Sequence, residues 1–165
     1  DGMLTRKRYR EVPPRVDYEL TPRARELMPV LGALALWGYR WAWSRPRAGE
    51  RVDVGAILRL VPGLVRGGGH RGEVECTITD GHREGGPLTV TVTLAPDASR
   101  VSEQPSQAAS ARITGDSRAW VAAFSPGGSM AALAISGDRA MAEHTISQLA
   151  RAELQALEGI DRAVA

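Results

Sequence analysis

Five cations crowd the start of the chain. Arg6, Lys7, Arg8 and Arg10 fall within five positions, and Arg15 follows across the Pro13-Pro14 corner. Guanidinium and ammonium groups at this density suit phosphate oxygens, where each contact adds salt-sensitive affinity but no choice of base. A solvated, charged hairpin is the plainer reading of the same run. Farther along, Gly127-Gly128-Ser129-Met130-Ala131 approximates a nucleophile elbow, and Asp138 and His144 follow in hydrolase order. The spacing argues against a triad: in that fold the acid and base come from separate later loops, whereas here all three lie within sixteen residues. No catalytic residue is therefore expected. His70, His82 and His144 are far apart in sequence and none forms a close ligand pair with Cys76, so no metal site is expected. Gly67-Gly68-Gly69 lacks the following Lys and Ser or Thr of a phosphate loop and reads as a turn.

The elements that must position the cations are two short extended runs and a helix. In the second run Val16, Tyr18 and Leu20 alternate with Asp17 and Glu19, so one face can be buried while the other carries charge. Thr21 can cap a helix whose first residue is Pro22. That helix is expected to run to about Trp43 with a kink at Pro29. Leu27, Leu31, Leu34, Gly38 and Trp41 recur at helical spacing, and Val30 and Trp37 widen the stripe. The stripe has two readings: it packs within the chain, or on a partner subunit.

Residue for residue, GMLTRKRYREVPPRVDYELTP, with Leu27 to Leu31 and Trp37-Gly38 after it, resembles the wing and C-terminal helix of the HxlR-type winged helix-turn-helix regulators. One departure is Ala24, where the family carries glycine. The resemblance implies that Arg6, Lys7, Arg8, Arg10 and Arg15 face double-stranded DNA. It also implies that Leu27, Leu31, Leu34, Trp37 and Trp41 belong to a homodimer contact. In that family the groove-entering helices precede the wing, and this sequence opens at Asp1.

From Ser44 to Arg51 the composition shifts to Arg, Pro, Gly and Glu, which marks a linker. Asp53 can cap a short helix through Ile57, Leu58, Leu60 and Val61, ending at Pro62-Gly63. Val74, Cys76 and Ile78 alternate with Glu73, Glu75 and Thr77, and Leu88, Val90, Val92 and Leu94 alternate with threonines, as in paired strands. A further strand is expected at Ala111 to Thr114, and a short one near Val101. Asp116 can cap a helix with Trp120, Val121 and Phe124. Ser136-Gly137-Asp138 then opens the closing helix, with Met141, Ile146, Leu149, Leu154 and Leu157. The order implies an α+β domain with helices on one face of a mostly antiparallel sheet.

This order also resembles the sterol-carrier-protein type 2 fold over roughly residues 53 to 155. That resemblance implies a hydrophobic tunnel holding an apolar or lipid-like molecule, with Leu60, Leu64, Val90, Val92, Trp120, Phe124 and Leu133 as candidate pocket residues. Apolar periodicity alone is equally met by a filled core. The expected division is a partial winged helix over residues 1–44, a linker over 45–52 and a sterol-carrier-like α/β sandwich over 53–165.

Composition sets the outer bounds. The 165 residues are 43% hydrophobic and 24% charged, ordinary for a soluble globular protein. Residues 1 to 47 carry ten Arg or Lys against five Asp or Glu, and residues 48 to 165 carry eleven against fourteen, so the basic end alone suits a polyanion. A single Cys76 excludes an internal disulfide and fits a cytoplasmic protein, and no apolar run is long enough for membrane insertion. The expected function is a DNA-binding regulator, not an enzyme and without a cofactor, that responds to an apolar effector. The competing reading is a small-molecule carrier whose N-terminal part only dimerises.

Overall fold

The computed structural model describes residues 2–9, 15–47, 49–82, 86–96, 98–125 and 127–150. Strands β1 (Leu4–Tyr9) and β2 (Arg15–Leu20) form an antiparallel hairpin in which Leu4 pairs with Leu20, Arg6 with Tyr18 and Arg8 with Val16. Side chains alternate across a strand, so Leu4, Arg6 and Arg8 share one face with Val16, Tyr18 and Leu20. Contrary to the expectation of a buried face, Leu4, Tyr18 and Leu20 are all exposed. The Pro13-Pro14 corner and Arg10 lie outside the described residues.

Thr21 anchors the end of the hairpin. Its hydroxyl donates to the Gly2 carbonyl at 2.7 Å and accepts from Ala24 N at 3.3 Å, while its own N–H bonds Met3 O at 3.0 Å. One side chain thus caps α1 (Pro22–Arg25) and ties it to the base of the hairpin. The single kinked helix expected from the sequence is instead two: α1 stops at Arg25, and α2 spans Met28–Trp41. Pro29 is the cause. Inside one helix its ring would clash with the carbonyl four residues back, whereas in the first turn of α2 its missing N–H costs nothing. Leu27 N bonds Ala24 O at 3.1 Å across the break.

The rest of the chain builds one sheet and its cover. Helices α3 (Val54–Arg59) and α4 (Val61–Leu64) precede β3 (Gly72–Ile78), β4 (Leu88–Ala95), β5 (Ala98–Ser102) and β6 (Ala111–Gly115). Helix α5 (Ser117–Phe124), β7 (Ala134–Gly137) and α6 (Arg139–Ala150) complete the order. Pro62 does not end the first of these helices as expected; it sits in the first turn of α4, the position that tolerates proline. The five strands lie in the order β5-β4-β3-β6-β7, with β3 and β6 parallel and every other pair antiparallel. This is the expected α+β class with a mostly antiparallel sheet.

Register decides which face is covered. Val74, Cys76 and Ile78 align with Val92, Val90 and Leu88 on one side, and Val74 and Cys76 align with Ala111 and Ile113 on the other. All are buried, together with Leu58 and Val61 from the first helices, Trp120 from α5 and Ala142 and Ile146 from α6. The opposite face carries Glu73, Glu75, Thr77, Thr89 and Thr93, and the segment 103–110 is strapped to it. Thr91 donates to Gln104 O at 2.6 Å, and Glu75 accepts from Ser106 N at 2.8 Å. Gly137 links β7 to α6 with φ of +78°, and a Cβ there would strike the Ser110 carbonyl, so both conformation and space require glycine.

Candidate functional sites

The basic hairpin presents its cations unequally. Lys7 Nζ pairs with Glu19 across the strands at 2.7 Å, which places it on the polar face. Arg6 and Arg8 project from the face they share with Tyr18 and Val16, and both are exposed. Arg15 closes the register opposite Tyr9, at the tip. Arg10 falls outside the described residues. Two guanidinium groups beside an exposed aromatic ring are suited to a polyanionic backbone with planar neighbours.

Helix α2 is apolar on two sides. Its inner side presents Gly32, Ala35, Leu36 and Tyr39 to the helices that cover the sheet, and Gly32 is buried against α4. The approach is backbone to backbone: a Cβ on Gly32 would lie 2.8 Å from Gly63 O, and one on Gly63 would lie 2.5 Å from Met28 O. Its outer side carries Leu27, Val30, Leu31, Leu34, Trp37 and Trp41, each exposed, from 43% at Leu31 to 67% at Trp41. The five residues assigned by resemblance to a dimer contact thus all lie on the uncovered side. Arg40 stacks its guanidinium 4.8 Å from the Trp41 ring.

Beyond the glycine crossing, α2 diverges from the helices that cover the sheet and leaves a half-open cavity of about 370 Å³. Leu36, Tyr39, Ala42 and Trp43 form one wall, Pro46, Glu50 and Val52 of the linker another, and Ile57, Leu60 and Leu64 a third. Val121 and Phe124 of α5 and Leu149 of α6 close it. Aliphatic and aromatic side chains dominate, with Tyr39, Ser44 and Glu50 as the polar groups, the composition of a small-molecule site. Of the pocket residues named from the sequence, Leu60, Leu64 and Phe124 line this cavity. Val90, Val92, Trp120 and Leu133 lie in the packed core between sheet and helices instead. Trp120 Nε1 donates to Thr77 O at 3.1 Å, which fixes the ring there. The α2 and linker walls escaped the sequence reading, which took Trp43 only as the end of a helix and residues 44–51 only as a linker.

The residues of the hydrolase-like order are each engaged with backbone. Ser129 Oγ accepts from Ala131 N at 3.1 Å, Asp138 Oδ1 caps α6 by accepting from Met141 N at 3.0 Å, and His144 Nε2 lies 2.8 Å from Arg66 O. Among the described residues no hydrogen bond joins the three. His70 and His144, distant in sequence, meet with ring centroids 4.7 Å apart and planes tilted by 39°. Asp80 accepts from Ser117 N at 2.7 Å and from its hydroxyl at 2.8 Å, and the Ser117 hydroxyl holds its carboxyl below the usual range. Among the described residues no helix is long and apolar enough to cross a membrane.

Residues 1–45 match the HxlR-like helix-turn-helix family. Over 51 residues the chain is 40% identical to an uncharacterised HTH-type transcriptional regulator of Methanothermobacter thermautotrophicus, covering 31% of this chain and 39% of that protein. Over 40 residues it is 48% identical to one of Halalkalibacterium halodurans, covering 24% and 35%. The chain therefore spans well under half of the curated relatives it matches. Among solved structures, a ubiquinone synthesis protein, UbiJ-SCP2, superposes with a TM-score of 0.40 at 12% identity, over 80% of this chain and all of that one. A conserved hypothetical protein of Thermus thermophilus, described as a candidate sterol carrier protein, gives 0.44 at 13% identity, over 67% and 96%.

Proposed function

We propose, from an N-terminal quarter that matches the HxlR-like helix-turn-helix family, that this chain is the wing, dimer helix and sensor domain of a DNA-binding transcriptional regulator. The observation that carries the reading is the double use of α2. One of its sides docks on the second domain and walls the cavity, while the other offers an exposed apolar stripe beside the basic hairpin. In this reading Arg6 and Arg8 contact phosphates or probe the minor groove, with Lys7, Arg10 and Arg15 completing the positive field. The outer stripe of α2 joins two copies. An apolar effector enters the cavity, changes how α2 rests on the second domain and so alters the spacing of two wings.

The test is binding of the full-length protein to duplex DNA, followed by fluorescence anisotropy across a salt series. Arg6→Ala and Arg8→Ala should each weaken binding about equally for every sequence and reduce the salt slope by about one unit. A parent protein without measurable DNA affinity at low salt would leave the carrier reading, in which the N-terminal part only dimerises.

A further inference from the structure

The apolar cavity has a neighbour. On the far side of the linker lies an open groove of about 1270 Å³, and the two hollows share the side chains of Trp43, Pro46, Glu50, Val52 and Val121. Their chemistry differs. The groove brings Arg45, Arg47, Arg51 and Arg118 together with Glu50, Asp53 and Asp80. Each of these carboxylates already serves a backbone amide: Glu50 accepts from Arg47 N at 2.8 Å, Asp53 from Ala56 N at 2.9 Å and Asp80 from Ser117 N at 2.7 Å. The side chains of Arg45, Arg47 and Arg118 are in exposed residues and form no ion pair among the described residues.

We propose that one amphiphile occupies both hollows, with an alkyl-like body in the cavity and an anionic head beside Arg47 and Arg118 in the groove. The inference rests on reading the cavity as the effector site and adds the charge and length of the effector. A water-sized group fills about 30 Å³, so a cavity of about 370 Å³ has room for about twelve such groups, enough for a ten-carbon chain. A wholly apolar ligand would leave the arginine side of the shared wall unused. An anionic head receives forked hydrogen bonds from guanidinium, which fixes which end of the ligand faces the linker. Four arginines against three carboxylates leave the groove net positive, so a cationic head is the less favoured one.

The probes are decanoate, decanol and decyltrimethylammonium, titrated below their aggregation concentrations into the full chain and followed by calorimetry. Decanoate is expected to bind about tenfold more tightly than decanol, the scale of one charge-assisted contact, and the ammonium compound most weakly. Arg47→Gln with Arg118→Gln should bring decanoate down to the affinity of decanol, and added salt should erode the same difference in the parent protein. Leu60→Trp, which fills the cavity, should remove both ligands; a melting curve of that variant establishes that it folds. Equal affinity for decanoate and decanol in the parent overturns the anionic head while the cavity reading stands. Failure of all three probes overturns the cavity reading and this inference together. Undiminished decanoate binding by folded Leu60→Trp places the anion in the groove alone and overturns the two-hollow ligand.

Discussion

Cys76 shows how one register position settles the chemistry of a side chain. It stands between Val90 and Ile113 in the middle of the sheet, completely buried. Burial first, and the neighbouring Glu75 second, push its thiol from an ordinary 9.0 up to about 12. The folded protein should therefore be inert to a disulfide exchange reagent at pH 8 and react with one equivalent on unfolding, which a colorimetric thiol assay reads directly. The sign of the pH effect follows from linkage. Between pH 9 and 12 the unfolded thiol has lost its proton and the folded one keeps it, so stability falls as pH rises, by at most about 1.4 kcal/mol per pH unit. Urea titrations at pH 8 and pH 10.5 should show the midpoint drop, and Cys76→Ser should remove that part of the drop.

At the scale of elements, the helix starts were the most legible features. Thr21, Asp53, Asp116 and Asp138 each accept from the amide three residues on, at Ala24, Ala56, Ala119 and Met141. Cap chemistry is local, so sequence order alone exposes it. Strand alternation was legible for the same reason, from Val74 to Ile78 and from Leu88 to Leu94. The docking side of α2 was not. That helix is apolar nearly all round, so its periodicity does not single out a face, and the Gly32–Gly63 crossing depends on a residue thirty-one positions away. Likewise the cavity reading reached Leu60, Leu64 and Phe124 but not Tyr39 or Trp43, whose role as walls depends on where α2 comes to rest. The crossing is open to test. Gly63→Ala should destabilise the protein by about 1–3 kcal/mol because its methyl meets backbone of α2, while Gly38→Ala, which has open space in the single chain and is measured in the monomeric Leu34→Glu background because it lies on the outer stripe, should gain about 1 kcal/mol from helix propensity. Thermal melts of the two variants separate packing from propensity. On the outer side, where Leu34 is 60% exposed in the single chain, Leu34→Glu should shift the protein from dimer to monomer in analytical ultracentrifugation and remove the dependence of its melting midpoint on protein concentration.

For the molecule as a whole, charge and apolar surface are sorted along the chain. An excess of cations over acids marks the first 47 residues and exposed apolar residues gather at the hairpin and α2, while the rest of the chain buries its apolar side chains under a sheet whose other face is polar. The linker is where the two regimes meet, and it walls both hollows. Binding of decanoate at the junction is accordingly predicted to change the affinity of the full-length protein for its DNA, and the DNA to change the affinity for decanoate by the same factor, because the coupling is reciprocal. Titrating decanoate with and without saturating DNA checks that equality.

The glycine crossing has a mechanical side. With backbone resting on backbone at Gly32 and Gly63, no side chain cushions the contact, so α2 is borne there as a beam on a fulcrum. Within α2, Tyr39 lies seven residues from Gly32 on one side and Met28 four on the other, arms of about 10 and 6 Å at helical rise. In the proposed mechanism, material wedged under the Tyr39 arm would tilt α2 about this crossing and move its Met28 end the opposite way by a smaller distance, part of it absorbed at the Glu26-Leu27 break before it reaches the hairpin.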